Sequence, residues 1–377
     1  MSNYKTVFFT LGVLLIVLGF SMLVPIIIQL IYSEFNSTFI ISSIITITFG
    51  ALFFLANIDH NRSLSTQQAF LLTALSWIGV AIFGSIPFIF SDLNLSLTDA
   101  FFESMSGITT TGATIINNLS DTPKAILSWR AILQWLGGIG IIVMAITLMP
   151  IMNIGGMQLL KISSGDSSEK ILPKSKQISL RLVLIYFSLT LLCAFFYKIC
   201  GMSFFDSLTH SMTTIATGGF SNYNQSIGFF ESAKIEYVSI VFIILGSIPF
   251  ISYIKFLSGN KKIIFKDEQI KLFLKLIFFS IFILFIYLAI VNKSIFEIQL
   301  RAIIFNVVSI LTGTGYVTKE FDQWGNFPLI FFLLLMFIGG CAGSTTCGIK
   351  VFRVHMLYFF LKNQLLKIIY PRDRKSV

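Results

Sequence analysis

The sequence is poor in charged residues. Only 12% of its 377 residues are Asp, Glu, Lys or Arg, whereas soluble globular domains carry roughly 25%. So little charge could not cover the surface of a protein of this size in water. Several apolar runs also approach the roughly 20 residues that a bilayer-spanning helix needs. The composition therefore excludes an ordinary soluble domain and predicts an integral membrane protein.

Cysteine and histidine are also scarce. The four cysteines lie within apolar or glycine-rich stretches without the spacing of zinc ligands, and a buried cysteine usually behaves as a small apolar residue. The three histidines, His60, His210 and His355, are far apart in the sequence. Neither residue type predicts a metal centre, a bound cofactor or an acid–base cluster, so a membrane enzyme is disfavoured.

Eight apolar segments have the length and composition of membrane spans. They cover residues 7–31, 38–56, 67–90, 130–151, 180–200, 235–256, 272–291 and 327–349. The first continues to Ile31 with no small-residue cleavage site behind it, so we interpret it as a span rather than a secretory signal. The sequence therefore predicts a multi-pass protein.

Basic residues are distributed unevenly between the segments that connect these spans. With a cytoplasmic N-terminus, 20 of the 27 Lys and Arg residues fall on the cytoplasmic side, as the positive-inside rule requires. The net charge of +10 is then explained by topology and by contact with the anionic headgroups of the lipid bilayer. It predicts no nucleic-acid partner.

Acidic residues lean the other way, since 11 of the 17 fall on the outer side. They include Asp92, Asp99, Glu103, Asp206, Glu231, Glu297, Glu320 and Asp322. Negative charge at a pore mouth concentrates cations by focusing the electric field. Simple solvation of the outer loops explains the same distribution, and the sequence leaves both interpretations open.

Three short segments between spans resemble one another. They are 97–114 (LTDAFFESMSGITTTGAT), 203–221 (SFFDSLTHSMTTIATGGFS) and 295–318 (IFEIQLRAIIFNVVSILTGTGYVT). Each has an acidic residue near its start, a stretch typical of a helix, and a closing run of Thr and Gly. The closing runs are Thr110-Thr111-Gly112, Ala216-Thr217-Gly218 and Gly313-Thr314-Gly315, with glycine spacings of 106 and 97 residues. This period fits a unit of two spans and a loop.

The chemistry of such runs suits a cation pore. Non-helical backbone at membrane depth is tolerated only where it lines a cavity or is buried in protein. Glycine lets successive carbonyls turn toward one axis, and converging carbonyls can replace the hydration shell of a monovalent cation. A single Thr-Gly run is more typical of tight helix packing in membranes. Three copies in the same topological position favour a pore.

These stretches resemble the Trk/Ktr family of bacterial potassium uptake proteins, in particular its TrkH-like membrane subunits. The similarity rests on SGITTTGAT, TTIATGGFS, LTGTGY and, most specifically, GGCAGSTTCGIKVFR at residues 339–353. It extends over essentially the whole chain. The fold that it implies is an all-α membrane protein of tandem helix–re-entrant pore loop–helix (M1-P-M2) repeats, similar to potassium channels and preceded by two extra transmembrane helices.

The resemblance implies a division of the chain and a set of functional residues. Residues 1–60 would hold the two leading helices, 67–152, 178–257 and 269–349 three pore repeats, and 350–377 a basic amphipathic tail. The three Thr-Gly runs would form the potassium filter. Residues 339–348 would break the helix and form an intramembrane gating loop, which agrees with the poor helix propensity of this glycine-rich stretch. The expected gating residues are Gly339, Gly340, Gly343, Ser344, Thr345, Gly348 and Lys350. A tight helix crossing through small residues is the alternative.

Two features depart from the family pattern. Thr346 and Cys347 stand where smaller Ser or Gly residues are expected, which predicts a stiffer or simply different loop. Only 29 residues follow Gly348, too few for the fourth repeat of the family, because two spans need about 20 residues each. We therefore expect the chain alone to insert but to conduct poorly. A separately encoded fourth unit or an incomplete gene product would explain this.

The resemblance also implies function, location and partners. We expect potassium uptake across the bacterial inner membrane by a homodimer, with a cytoplasmic TrkA-like nucleotide-binding regulatory subunit docked on the basic loops 161–181 and 255–271. Potassium is the substrate, and no enzymatic reaction is expected. A secondary transporter with discontinuous helices is an alternative, although inverted repeats need units of opposite orientation and these two-span units all run the same way.

Overall fold

In a computed structural model, the chain is built from helices joined by short connections. The structure describes residues 4–58, 65–147, 171–259, 262–292 and 297–369. Several sequence predictions fall outside them: the end of the fourth span, most of the cytoplasmic loop 161–181, Lys261, and the end of the tail after residue 369. Within the described ranges, the only extended pairing is one bridge between Ile338 and Ile349. The predicted all-α class is confirmed.

The described residues contain fifteen α-helices, in the following order along the chain. They are α1 Lys5–Ser21, α2 Leu23–Tyr32, α3 Thr38–Ala56, α4 Thr66–Ile89, α5 Leu97–Ile108, α6 Lys124–Thr147, α7 Ile171–Ile199, α8 Phe204–Ile215, α9 Ala233–Gly246, α10 Phe250–Leu257, α11 Ile263–Lys266, α12 Glu268–Asn292, α13 Glu297–Leu311, α14 Asn326–Met336 and α15 Val351–Ile369. Helices α5 and α8 are short and lie between longer apolar helices, and α13 lies between the long helix α12 and the short apolar helix α14. This order is the one expected for re-entrant pore helices.

Six segments of the described chain are long and apolar enough to cross a membrane. They are Lys5–Tyr32, which combines α1 and α2, then α3, α4, and the parts Lys124–Ile142, Gln177–Ile199 and Glu268–Val291 of α6, α7 and α12. They correspond to six of the eight predicted spans, and the fourth begins earlier than predicted, at Lys124. A multi-span membrane protein is therefore confirmed.

The predicted span 235–256 is divided between two helices. Helices α9 and α10 meet at an angle of 87°, and Pro249 stands at the break. Proline lacks an N–H and disfavours helical geometry at the residue before it, so the helix ends at Gly246. The freed carbonyls of Gly246 and Ser247 accept hydrogen bonds from the N–H groups of Thr345 and Cys341.

The last predicted span, 327–349, is interrupted at the glycine-rich stretch 339–348, where the family resemblance implied a break in the helix. Helix α14 ends at Met336 and the next helix begins at Val351. Between them, Gly339 donates to the carbonyl of Ile349, and Ile349 donates to that of Phe337, both at 2.9 Å. The glycine-rich stretch therefore forms a loop that returns upon itself.

The leading helices pack through small residues. A Cβ atom added to Gly12 of α1 would lie 2.6 Å from the backbone nitrogen of Phe54 in α3, and one added to Gly50 would lie 2.9 Å from that of Ile16. Ser43 also donates to the carbonyl of Gly19 at 2.9 Å. Close backbone approach through small residues is the usual way in which helices associate in a membrane.

Helix α6 occupies the centre of the described structure. In its apolar window 72% of the residues are buried, against 22% in those of α7 and α12. It packs against α2, α5, α7 and α8, and so its polar side chains face protein rather than lipid. This position brings Arg130 and Gln134 of α6 next to the pore loops described below.

We predict that Gly12→Ala lowers the thermal unfolding temperature of the detergent-solubilised protein. The added methyl group overlaps the backbone of α3, and overpacking of this kind typically costs about 1–3 kcal/mol. The matched control is Gly140→Ala in α6, where no described atom lies within 4 Å of the added Cβ and helix propensity gains up to about 1 kcal/mol. Equal unfolding temperatures for the two variants would contradict the tight crossing of α1 and α3.

Candidate functional site

The first two pore helices begin with the same cap. Ser96 accepts a hydrogen bond from the N–H of Asp99 at 3.1 Å and donates to its carboxylate at 2.7 Å. Ser203 and Asp206 repeat this arrangement at 3.0 and 2.6 Å. The side-chain cap and the acidic first turn both stabilise a helix N-terminus. The acidic residue near the start of these segments therefore has a structural role in folding the pore helix.

The three pore helices also end alike. In each, an N–H bonds back five residues at 2.9 Å: Thr111 to Ser106, Gly218 to Thr213, and Thr314 to Ser309. The residues just before these donors, Thr110, Thr217 and Gly313, have φ of 56°, 50° and 72°. The residues just after them, Gly112, Gly219 and Gly315, have φ of 83°, 80° and 81°. Three separate stretches of sequence thus share one loop conformation, and we call them filter loops 1, 2 and 3.

This equivalence corrects the register predicted for filter loop 2. The sequence comparison aligned Gly218 with Gly112 and Gly315, whereas the hydrogen bonds align Gly219 with them and Gly218 with Thr111. Two adjacent glycines make the register ambiguous in sequence, and only the backbone conformation resolves it. Gly219 therefore has the position that the sequence analysis assigned to Gly218, and it directly follows the predicted run.

The filter loops lie side by side in chain order. A Cβ on Gly112 would lie 2.1 Å from the carbonyl oxygen of Gly218, and one on Gly219 would lie 1.9 Å from that of Thr314. On Gly315 a Cβ would meet no described atom within 4 Å. Loop 1 thus contacts loop 2, loop 2 contacts loop 3, and the outer side of Gly315 faces open space within the described structure.

Gly112, Gly219 and Gly315 line one common cavity of about 610 Å³. Its walls come from the segments that follow the filter loops, and they include Glu231 and Glu320 together with Lys319. Helices α5, α8 and α13 all end at this group of loops, so the partial negative charge of their C-terminal carbonyls is concentrated there. The arrangement provides oxygen atoms and negative potential, which suit a cation without a bound water shell.

A buried ion pair supports the outer part of filter loop 1. Glu103 of α5 accepts from Arg130 Nε of α6 at 2.7 Å, and also from Thr114 Oγ1 and the N–H of Ile115. The side chains of Arg130 and Glu103 are 2% and 0% exposed. Arg130 therefore compensates the charge of Glu103, so Glu103, one of the acidic residues that the sequence analysis assigned to the outer side, is not a free charge in the structure.

Arg130 also reaches filter loop 2. Its Nη1 donates to the carbonyl of Ser221 at 2.9 Å, and its guanidinium lies 4.1 Å from the ring centroid of Phe220. A cation over an aromatic face is attracted by the negative face of the ring. One side chain of α6 thus joins the segments that leave the first two filter loops, a role that no motif in the sequence indicated.

A second polar network joins α8 to the segment that follows filter loop 2. Asp206 accepts from Asn222 Nδ2 at 2.8 Å and from the hydroxyl of Tyr223 at 3.1 Å. His210 of α8 lies 3.0 Å from the hydroxyl of Ser221 through its Nε2. Burial and the neighbouring Asp206 raise the pKa of Tyr223 to about 12, so its hydroxyl remains a donor over the physiological range. Asp206, like Glu103, is engaged in structure.

The glycine-rich loop touches the start of the filter loops. The hydroxyl of Thr345 lies 3.0 Å from the carbonyl of Ile215, which ends α8, and 3.1 Å from the hydroxyl of Thr217. Cys347 Sγ lies 3.6 Å from the hydroxyl of Thr110. A Cβ on Gly313 would lie 3.3 Å from the Cβ of Cys347. The loop therefore contacts all three filter loops at the residues of positive φ or next to them.

The other predicted gating residues hold this loop in shape. The N–H of Gly340 donates to Thr346 Oγ1 at 3.0 Å, and Ser344 Oγ lies 2.8 Å from the same atom. The ammonium group of Lys350 donates to the carbonyl of Thr346. Gly339 lacks room for a side chain against the carbonyl of Cys347, and Gly343 and Gly348 have positive φ. Thr346, the departure from the family pattern, is thus the hydrogen-bonding centre of the loop.

The chain is similar to known membrane transport proteins over nearly its whole length. The family model of TrkH, described as a cation transport protein, matches residues 35–372. The Trk system potassium uptake protein TrkI of Halomonas elongata is 38% identical over 96% of this chain and 73% of its own length. The Trk system potassium uptake protein TrkH of Escherichia coli K12 is 35% identical, over 100% of this chain and 79% of its own length.

A solved structure is similar as well. The crystal structure of the potassium transporter TrkH from Vibrio parahaemolyticus superposes with a TM-score of 0.89 at 34% sequence identity. The match covers 98% of this chain and 78% of that one. The order of helices and re-entrant loops described above is therefore shared with an experimentally determined transporter.

We predict that Glu103 and Arg130 are strongly coupled in stability. Glu103→Gln or Arg130→Met alone leaves a buried charge without its partner, which costs about 3–5 kcal/mol, and the double variant should be less destabilised than the sum of the two. Thermal unfolding in detergent measures the coupling. The control cycle uses Glu236 and Arg301, an ion pair whose side chains are 9% and 14% exposed, where the coupling should be smaller. Additive effects at Glu103 and Arg130 would exclude the proposed bracing of the filter.

Proposed function

The chain belongs to the TrkH family of cation transport proteins, and we propose that it is the pore-forming subunit of a Trk-type potassium uptake system. Potassium is the substrate carried across the membrane. The observation that carries this proposal is the common conformation of the three filter loops around one cavity, in a chain whose curated relatives are potassium uptake proteins. We assign the chain no enzymatic reaction.

We propose that backbone carbonyls of the filter loops hold the ion. No carboxylate belongs to these loops, and carbonyl oxygens suit a dehydrated monovalent cation. The proposed filter residues are Thr110, Thr111, Gly112, Ala216, Thr217, Gly218, Gly313, Thr314 and Gly315, to which the observed register adds Gly219. These loops belong to pore repeats at 67–152, 178–257 and 269–349, which follow two leading helices.

The loop at 339–348 is proposed as the gate. It lies against Thr110, Thr217 and Gly313, which begin the filter loops, so a change in its position would open or close the path on that side. Its hydrogen bonds to the broken α9–α10 pair would have to change at the same time. Lys350 and Thr346 are the residues that we expect to hold the closed form.

The membrane is proposed to be the inner membrane of a bacterium, with the N-terminus in the cytoplasm. The uneven distribution of Lys and Arg supports this orientation. A homodimer and a cytoplasmic TrkA-like nucleotide-binding partner follow from the family resemblance, and we propose both.

The transport function is tested by growth of a bacterial strain that lacks potassium uptake. The gene, expressed with its adjoining genes, should restore growth at low potassium. Gly112→Ser and Gly219→Ser should abolish this rescue, because each adds a side chain at positive φ against a carbonyl oxygen. Gly315→Ser should weaken potassium preference over sodium but retain some transport, since its neighbourhood in the described structure is open. Normal ion preference in all three variants at normal expression would remove the filter assignment.

The partner surface is tested by charge reversal. Lys262, which precedes the short helix α11, and Lys266, which ends it, are both exposed. Their replacement by Glu should weaken co-purification with the regulatory subunit in mild detergent. Lys198→Glu, at an exposed position on the opposite face of the proposed topology, is the control and should leave the complex unchanged. An intact complex in the Lys262→Glu, Lys266→Glu variant shows that the subunit docks elsewhere.

A further inference from the structure

Filter loops 1 and 3 are each braced by two threonine hydroxyls. Thr109 Oγ1 lies 2.8 Å from Thr111 Oγ1 in loop 1, and Thr312 Oγ1 lies 2.8 Å from Thr314 Oγ1 in loop 3. The equivalent positions in loop 2 are Ala216 and Gly218, and neither has a hydroxyl. Loop 2 therefore keeps the shared backbone conformation without the brace that loops 1 and 3 possess.

Gln134 of α6 occupies the place of the missing side chain. A Cβ on Gly218 would lie 2.4 Å from both Cδ and Oε1 of Gln134, so the amide fills the space into which a residue-218 side chain would project. Gln134 Nε2 donates to the carbonyl of Gly218 at 2.7 Å, and its Oε1 accepts from the N–H of Phe220 at 3.0 Å. Gln134 is 0% exposed.

Close packing of α6 fixes the backbone that carries this amide. A Cβ on Gly137 would lie 1.9 Å from the carbonyl oxygen of Ile108, and one on Gly138 would lie 3.1 Å from the Cα of Ala216. The helix is therefore seated against the ends of both α5 and α8. Arg130, four residues before Gln134 and on the same helix face, is anchored by Glu103. The side-chain amide of Gln134 is thus held in a fixed position beside Gly218 of filter loop 2.

We propose that Gln134 is a positioning residue that sets the cation preference of the filter through the carbonyl of Gly218. This rests on the proposed function of the filter loops. A carbonyl oxygen has two lone pairs, and the oxygen of Gly218 accepts one hydrogen bond from Gln134. The same oxygen lies beside Gly112, where filter loops 1 and 2 are in contact. The same amide also accepts from the N–H of Phe220, so the two consecutive peptide groups 218–219 and 219–220 are both restrained by Gln134.

The consequence for selectivity follows from the freedom of glycine. Gly218 carries no side chain that would restrict its rotation, so without Gln134 its carbonyl becomes free to move toward or away from the ion path. Discrimination between potassium and sodium depends on the number, the dipoles and the spacing of the carbonyls that surround the ion. In filter loops 1 and 3 the equivalent residue is a threonine, which has less backbone freedom than glycine and whose hydroxyl is hydrogen-bonded within the loop.

The test compares two variants of similar volume. Gln134→Met and Gln134→Leu both lose the two hydrogen bonds, and neither adds a charge beside the filter loops. Both should lower potassium preference over sodium by about threefold to tenfold, the effect of one hydrogen bond of ordinary strength. The readout is rubidium uptake by cells that lack their own potassium uptake, with potassium and sodium as competitors. The ratio of the two half-inhibitory concentrations does not depend on the amount of protein.

The outcomes separate this inference from the proposed function. If the unaltered protein shows no potassium-sensitive rubidium uptake, the proposed function fails. If it does, and Gln134→Met retains the normal ratio, Gln134 has only a structural role and the inference is overturned. If Gln134→Met does not accumulate, Gln134→Leu decides in the same way. Gln29→Met, at a buried glutamine of α2, is the control and should keep the normal ratio.

Discussion

Unpaired backbone groups cannot be left in hydrocarbon, and this constraint determines the arrangement around the pore. Three filter loops, one glycine-rich loop and the break between α9 and α10 all present non-helical backbone at membrane depth. Each would cost several kcal/mol for every unpaired group. In the structure these irregular segments pair their backbone groups with one another. The glycine-rich loop around Thr345 donates to the carbonyls that the break leaves free, and it also contacts the filter loops. The irregular parts of the chain are therefore mutually dependent.

Much of this architecture could be predicted from the sequence, because it depends on length and composition. Apolar runs of spanning length fixed the long helices, and the repeated Thr-Gly runs located the three pore loops. The break at Pro249 was also visible in principle, since proline lacks a donor and restrains its neighbour, but the apolar content of 235–256 masked it. The register of filter loop 2 was not accessible, because Gly218 and Gly219 are indistinguishable until the hydrogen bonds are known.

The side chains that hold the filter could not be found in the sequence for a different reason. Glu103, Arg130 and Gln134 contact residues that are far away along the chain, and none belongs to a recurring motif. A charged residue in α6 is indistinguishable in sequence from one at the membrane surface until packing shows that it is buried. The loss of one partner from a buried polar network is costly, because it leaves a charge or a donor unsatisfied. The sequence around each residue nevertheless does not reveal the network.

The different bracing of the three filter loops has an evolutionary consequence. In a pore assembled from identical subunits, every substitution appears in all subunits at once, so the ring can change only symmetrically. Here the copies are covalently joined, and each has its own codons. A threonine pair holds two of the loops, while a glutamine from a neighbouring helix holds the other. A substitution in one loop therefore changes one of the three copies and leaves the other two as they were.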